Sequence, residues 1–343
     1  MAIDTVGQGI GSVGDALPCS HPAARQTLLF PACDYITGDV FEVRRCDACG
    51  LTRTFPRLPP AQLGRYYPQG YYGQNRRYPA SVERCLQALY AVRSRAIQAA
   101  SGVIGGTVLD IGCGRGELLD QMRRLGWSVA GTELSDTSAR YARDVLHIDV
   151  HVGDLEGTTF PDDRFSVVIL WHVLEHVEHP EVLLHRVRKL LRPGGVLLVA
   201  VPNFSSIEAR WGKNVWFHLD VPRHLNHFTP HVLERMLASA GLRMQSTSYF
   251  SLEYDAFSFV QTMLNWMGLR HNLLYNVLRT RGAKVLTPPR EQRVRPSEVA
   301  LHLLLATILG GVSLIWVPLV ARLGRGATMT LYARKPSASD GAA

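Results

Sequence analysis

The sequence is short of cysteine, and its first residues do not show the pattern expected of a secretion signal. Its 343 residues include six cysteines, too few and too scattered for the disulfide framework of a small secreted protein. Residues 1–17 contain neither a basic segment nor an apolar one, so the pattern of a secretory signal peptide is missing. Both absences predict a protein of the reducing cytoplasm.

A recognisable nucleic-acid-binding module is also missing. The chain is basic, with a net charge of +8 and a pI of about 9.3, which favours an anionic partner. Because the basic residues lie beside apolar sequence, an acidic lipid or a phosphorylated substrate is expected in preference to nucleic acid. The apolar fraction of 46% is ample for one large domain with additions.

The segment 107–119 predicts the start of a nucleotide-binding βαβ unit. A short apolar strand, residues 108–111, runs into a glycine turn and then into leucines at helical spacing. A dinucleotide fingerprint would need its third glycine at position 117, which is Glu117. Asp110 precedes the turn, and its carboxylate would repel a pyrophosphate but favour a cation.

S-adenosylmethionine (SAM) carries a sulfonium and an ammonium group and no phosphate. The D-x-G-x-G-x-G pattern resembles motif I of the class I SAM-dependent methyltransferases. That resemblance places Asp110 near the methionyl end of SAM and the glycine turn along the methionine and ribose. Glu133 ends the next strand, 23 residues after Asp110, where an acid accepts hydrogen bonds from the ribose hydroxyls. The predicted cofactor-binding residues are Asp110, Gly112, Cys113, Gly114, Gly116, Glu133, Leu134, Asp154, Leu155 and Trp171; the resemblance assigns Asp154 and Leu155 to the adenine.

The resemblance also implies the fold. We expect an α/β, Rossmann-like sheet of seven strands in the order 3-2-1-4-5-7-6, with strand seven antiparallel and helices on both faces. The methyltransferase domain is predicted over residues 81–250 plus 326–336. Residues 1–15 are expected to be disordered, 16–80 to form a zinc-ribbon-like module and linker, and 251–325 to form a helical hydrophobic insertion.

Two groups of histidines are candidates for catalysis. His172, Glu175 and His176 follow strand four; they match a metalloprotease pattern formally, but that pattern belongs inside a helix. The ubiquinone-biosynthesis O-methyltransferases are similar here, with Glu in place of His172, and imply a divalent ion at Glu175 and His176. The alternative is that these two residues only cap and orient the following turn.

The second group lies in the loop after strand five. His224 and His227 are three residues apart, and one of them is the preferred general base; the catalytic candidates are therefore His224, His227, His172 and His176. Arg223 is expected to bind an anionic group of the substrate. The alternative is a hydrogen-bonded loop that packs over the sheet.

The N-terminal module contains Cys46-x-x-Cys49-Gly, a zinc knuckle that would form half of a zinc ribbon. The first knuckle is broken, so the remaining ligands are open: Cys19 with His21 or Cys33. The alternative is a ribbon fold that has lost its metal.

About 75 residues separate strand six (243–251) from the last strand (328–334). Residues 254–279 read as an amphipathic helical region, a basic stretch follows to Arg295, and residues 303–321 carry no charge. Since both flanking strands join one sheet, a single membrane span is excluded. We expect a re-entrant or surface-lying helical pair with arginines on anionic headgroups. The alternative is a helix buried against the domain or a partner subunit.

The sequence therefore predicts a SAM-dependent methyltransferase acting on a small or lipid-linked acceptor at the inner face of the cytoplasmic membrane. O-methylation of a quinone-type phenol is favoured. A sugar or cell-surface glycan precursor is the alternative acceptor, because the Cys46–Cys49 module resembles that of sugar C-methyltransferases. A non-catalytic, membrane-associated SAM-binding protein is the third interpretation.

Overall fold

The computed structural model describes residues 25–67, 80–251, 253–280 and 294–337, which form two sheets and ten α-helices. The strands are β1 Gln26–Cys33, β2 Val40–Cys46, β3 Thr52–Phe55, β4 Thr107–Ile111, β5 Ser128–Glu133, β6 Val150–Val152, β7 Phe165–Trp171, β8 Leu191–Pro202, β9 Asn226–His227, β10 Arg243–Ser248 and β11 Thr328–Arg334. The helices are α1 Pro60–Leu63, α2 Ala80–Ser101, α3 Glu117–Arg124, α4 Asp136–Asp144, α5 Pro180–Leu190, α6 Ile207–Gly212, α7 Pro230–Ser239, α8 Asp255–Trp266, α9 Leu273–Thr280 and α10 Pro296–Arg322.

The large sheet has the order β10-β11-β8-β7-β4-β5-β6. Strand β11 is antiparallel to both of its neighbours, and the remaining pairs are parallel. Counted from β4 as strand one, this is the predicted order 3-2-1-4-5-7-6, so the fold prediction is confirmed. The apolar strand β7 is buried along almost its whole length, as a central parallel strand covered on both faces must be.

The small sheet joins the N-terminal module to a distant loop. Its order is β1-β2-β3-β9, and β9 comes from the loop after β8. The β1–β2 register pairs Cys33 with Val40 and Gln26 with Cys46, so Cys33 and Cys46 lie at opposite ends of the hairpin. Cys33 as a zinc ligand beside Cys46 is therefore wrong. Cys46 and Cys49 are buried at the β2–β3 turn, whereas Cys19 and His21 lie outside the described residues.

The insertion between β10 and β11 forms three helices in the described part of the chain. Helices α8, α9 and α10 pack around a separate apolar cluster that includes Phe259, Leu264 and Val317. Helix α10 runs unbroken through Gly310–Gly311 and Pro318. It is the one helix among the described residues that is long and apolar enough to cross a membrane, and only 17% of its most apolar stretch is buried.

Candidate active site

The glycine turn between β4 and α3 adopts a conformation that side chains rarely allow. Gly112, Gly114 and Gly116 have φ angles of +73°, +57° and +78°. A Cβ on Gly112 would also lie 2.6 Å from Cγ2 of Val173. Gly116 is the N-cap of α3. The turn therefore needs glycine because other residues would be strained at these φ angles. At Gly112 it also needs glycine because a Cβ would clash with Val173.

Glu133 at the end of β5 holds this turn in place. Its carboxylate accepts hydrogen bonds from the backbone N–H of Gly114 at 2.8 Å and of Ser135 at 2.7 Å. A carboxylate has about four acceptor positions, so two remain for a ligand. Glu133 thus both orients the turn and stays available as an acceptor.

Two cavities lie at these strand ends and share part of their lining. The glycine-turn cavity has a volume of about 400 Å³ and is lined by the predicted residues Asp110, Gly112, Cys113, Gly114, Glu133 and Trp171. The strand-end cavity, about 550 Å³, shares Gly112 and Glu133 with it and is lined by Leu134, Asp154 and Leu155. All predicted cofactor-binding residues except Gly116 therefore line one continuous pair of cavities.

Asp110 is a buried carboxyl group of the glycine-turn cavity. Its Oδ1 atom has no hydrogen-bond partner among the described residues. Burial raises the pKa of Asp110 to about 8, with Glu133 raising it further and Arg93 opposing the shift. A cation entering the cavity would stabilise the ionised carboxylate.

Arg93 on α2 is a site residue that sequence reasoning missed. Its guanidinium lies 3.5 Å from the centroid of the Trp171 ring and forms an ion pair with Glu253 at 2.5 Å. Arg93, Glu253 and Tyr254 all line the glycine-turn cavity. The sequence of α2 does not show which of its faces turns towards the cavity.

The histidine cavity, about 280 Å³, adjoins the glycine-turn cavity at Glu253 and Tyr254. His172 lines it and has a φ of +54°, which is unusual for a residue with a side chain. Its Nδ1 lies 2.9 Å from Oε1 of Glu175, and its buried Nε2 has no partner in the described ranges. The His172 and Tyr254 ring centroids are 4.3 Å apart, so His172 stands at the boundary between the two cavities.

Glu175, His176 and His224 converge beside His172. Their ligand atoms all lie within 4.8 Å of one another. Burial would raise the pKa of Glu175, but the hydrogen bond from His172 and the neighbouring imidazoles lower it to about 2. Burial lowers the pKa of His224 to about 4, so its imidazole is neutral at neutral pH.

Comparison with known proteins identifies the family. A family model described as a methyltransferase domain matches residues 75–247, half of the chain. The chain is 30% identical over 188 residues to a ubiquinone biosynthesis O-methyltransferase of Azoarcus sp. (strain BH72), covering 50% of this chain and 78% of that relative. The chain belongs to the SAM-dependent methyltransferase family.

A second relative and a solved structure are similar. A ubiquinone biosynthesis O-methyltransferase of Chelativorans sp. (strain BNC1) is 33% identical over 159 residues, which cover 42% of this chain and 62% of the relative. A SAM-dependent methyltransferase structure from Archaeoglobus fulgidus aligns with 19% identity and a TM-score of 0.44, covering 73% of this chain and 94% of that one. The matched region thus covers less than two thirds of the length of the Chelativorans relative.

His227 and Arg223 are among the predicted residues that do not line the three cavities. His227 is buried in the small sheet, where its Nε2 is 2.9 Å from the Thr54 hydroxyl, so it is not placed to act as a base. Arg223 is fully buried and pairs with Asp34 and Asp220, each at 2.7 Å. Arg223 therefore anchors its loop to the N-terminal module, and the expectation that it binds an anionic substrate group is wrong.

Proposed function

We propose that this methyltransferase transfers the SAM methyl group to a phenolic hydroxyl of a small, quinone-type acceptor. SAM would occupy the glycine-turn and strand-end cavities, and the acceptor would occupy the histidine cavity. The observation that carries the proposal is the His172–Glu175 pair at the boundary between donor and acceptor cavities. The two relatives are both ubiquinone biosynthesis O-methyltransferases, which supports this acceptor class.

In this proposal the chain orients SAM by charge. Asp110 binds the ammonium group, Glu133 accepts from the ribose hydroxyls, and Arg93 binds the methionyl carboxylate. Asp154 and Leu155 contact the adenine from the strand-end cavity. These contacts direct the sulfonium methyl past Trp171 and Tyr254 towards the histidine cavity.

His172 would act as the general base. Glu175 accepts a hydrogen bond from the Nδ1–H of His172, which leaves the Nε2 lone pair free to take the hydroxyl proton of the substrate. This is the arrangement of a general base oriented by a carboxylate. Nε2 takes the hydroxyl proton while the acceptor oxygen forms a bond to the methyl carbon. SAM supplies the electrophilic methyl, and its S–C bonding pair returns to sulfur, which leaves as a neutral thioether.

The aromatic part of the lining of the histidine cavity supports an aromatic acceptor. Tyr35, Phe217, Phe257 and Tyr275 border the cavity together with its polar and charged side chains. Aromatic side chains bind a flat ring by stacking and edge-to-face contact.

The same proposal includes contact with an anionic membrane surface at its cytoplasmic face. Helix α10 presents an exposed apolar stripe at helical spacing, formed by Leu301, Leu304, Ile308, Val312, Ile315 and Leu319. Twenty-seven residues make a helix about 40 Å long, enough to lie along a surface. The basic stretch 279–295 precedes it in the sequence and would meet acidic headgroups. A lipid-linked acceptor would then be held close to the site.

The test is methylation of a catechol with a short prenyl chain by the purified full chain with radiolabelled SAM. His172→Gln should lower kcat by about 10²- to 10⁴-fold and leave the Kd for SAM unchanged. His231→Gln, at an exposed position on α7, is the matched control and should keep full activity. Wild-type turnover by His172→Gln, or no methylation of the catechol by the wild type, would refute the proposal.

A further inference from the structure

We propose that Glu175, His176 and His224 bind a divalent transition-metal ion of the Zn²⁺ type beside the acceptor hydroxyl. The inference deepens the proposed function, because it adds an ion to the same site. The family resemblance implies an ion only at Glu175 and His176. His224 comes from a separate loop, and the fold brings it to the other two.

The distances among the three side chains suit an ion. Their ligand atoms lie within 4.8 Å of one another. Bonds of about 2.1 Å hold neighbouring ligand atoms at most about 4.2 Å apart, so small side-chain rotations would close the site. Glu175 is 1% exposed and His224 is 8% exposed, so water does not replace these ligands easily.

The hydrogen bonds present the correct atoms. His176 Nδ1 lies 2.9 Å from the carbonyl oxygen of Arg223, and His224 Nδ1 lies 2.8 Å from that of His218. Each Nδ1–H therefore donates to a backbone carbonyl, which leaves the Nε2 lone pair for an ion, as is usual for metal-binding histidines. Glu175 Oε2 is buried without a hydrogen-bond partner in the described part of the chain, while Oε1 accepts from His172.

The ligand types select the ion. Two imidazole nitrogens and one carboxylate oxygen suit Zn²⁺, Fe²⁺ or Co²⁺, whereas Mg²⁺ prefers oxygen ligands and retained water. His172 replaces the family's Glu, which removes one oxygen ligand from the neighbourhood. Glu175 and His224 also line the histidine cavity, so open coordination positions would face the acceptor. When bound, the ion would supply positive charge that lowers the pKa of the acceptor hydroxyl.

The experiment is a Co²⁺ titration of the chelator-treated full chain, without SAM or acceptor, followed by visible absorption. The wild type should bind Co²⁺ with d–d bands and should retain it in excess Mg²⁺. His224→Gln should weaken this binding about 100-fold or more, as should His176→Asn. His231→Gln should bind like the wild type. Thiolate-to-cobalt bands in the near ultraviolet would report any separate ion at Cys46 and Cys49.

Calorimetry with SAM checks that each variant is folded, and a variant that does not bind SAM is replaced by the other. Co²⁺ binding equal to wild type in a folded His224 or His176 variant would overturn the inference. So would Co²⁺ binding with thiolate bands alone. Neither result bears on methylation by His172, so failure of this inference is distinguishable from failure of the proposed function.

Discussion

Replacing Asp110 with asparagine should weaken SAM binding and remove most of its pH dependence. Because the pKa of Asp110 is about 8 in the empty cavity, about one chain in ten is ionised at pH 7, and ionising the rest costs about 1.4 kcal/mol. An ion pair with the SAM ammonium at about 4 Å contributes about 4 kcal/mol at an effective dielectric constant of 20. The net loss in Asp110→Asn is therefore about 2.6 kcal/mol at pH 7, or about 80-fold in Kd.

The direction of the pH dependence of SAM binding follows from the raised pKa of Asp110. The carboxyl is neutral below about pH 8 and charged above it, so the ratio of the Asp110→Asn Kd to the wild-type Kd should rise by up to about tenfold per pH unit and level off above pH 8. The SAM amino group titrates equally with both proteins, so the ratio of the two Kd values isolates Asp110. Calorimetry from pH 6 to about pH 9, in buffers of different ionisation enthalpy, would also detect the proton released on binding. A Kd ratio that stays constant over this range would refute the reasoning.

Other predictions concern the turn, the cofactor, the buried ion pairs and the membrane surface. Gly112→Ala should lower the free energy of unfolding by about 1–3 kcal/mol, because its φ is +73° and its Cβ would meet Val173; a chemical-denaturation midpoint equal to wild type would contradict this. Arg93→Leu should raise the KM for SAM at least about tenfold and leave the acceptor KM unchanged in steady-state assays; equal effects on both would disprove its placement. Arg223→Met leaves two carboxylates buried without their cation and should destabilise the fold by about 3–5 kcal/mol in urea, whereas an unchanged urea midpoint would show that the ion pairs contribute nothing. Ile308→Lys combined with Ile315→Lys should abolish sedimentation with anionic vesicles at unchanged Tm; Leu28→Lys, at an exposed apolar position on the small sheet, is the control, and continued sedimentation of the double variant would count against the membrane contact.

The cofactor side of the site was predictable because its signals are local. Each acid sits at the end of an apolar strand, and parallel strands bring their carboxyl ends to one edge of the sheet. Asp110, Glu133 and Asp154 therefore reach the two joined cavities in the expected order. The strand order was implied by the family resemblance that these motifs carry.

The acceptor side was not predictable in the same way, because it depends on contacts between distant segments. Arg223 has the same sequence neighbours whether it faces a substrate or a buried acid, and its partner Asp34 is 189 residues away. His224 and His227 differ only in which way the loop turns: one side chain faces a cavity and the other meets Thr54. Gly310, Gly311 and Pro318 do not interrupt α10, although glycine and proline have low helix propensity.

The two-residue strand β9 couples the N-terminal module structurally to the loop that carries His224. Strand β3 pairs with β9, Thr54 contacts the backbone of His224, and Asp34 neutralises Arg223. A chimera that exchanges residues 25–67 for another enzyme's N-terminus must therefore exchange the loop as well. Acceptor choice in this lineage would evolve by replacement of the two segments together.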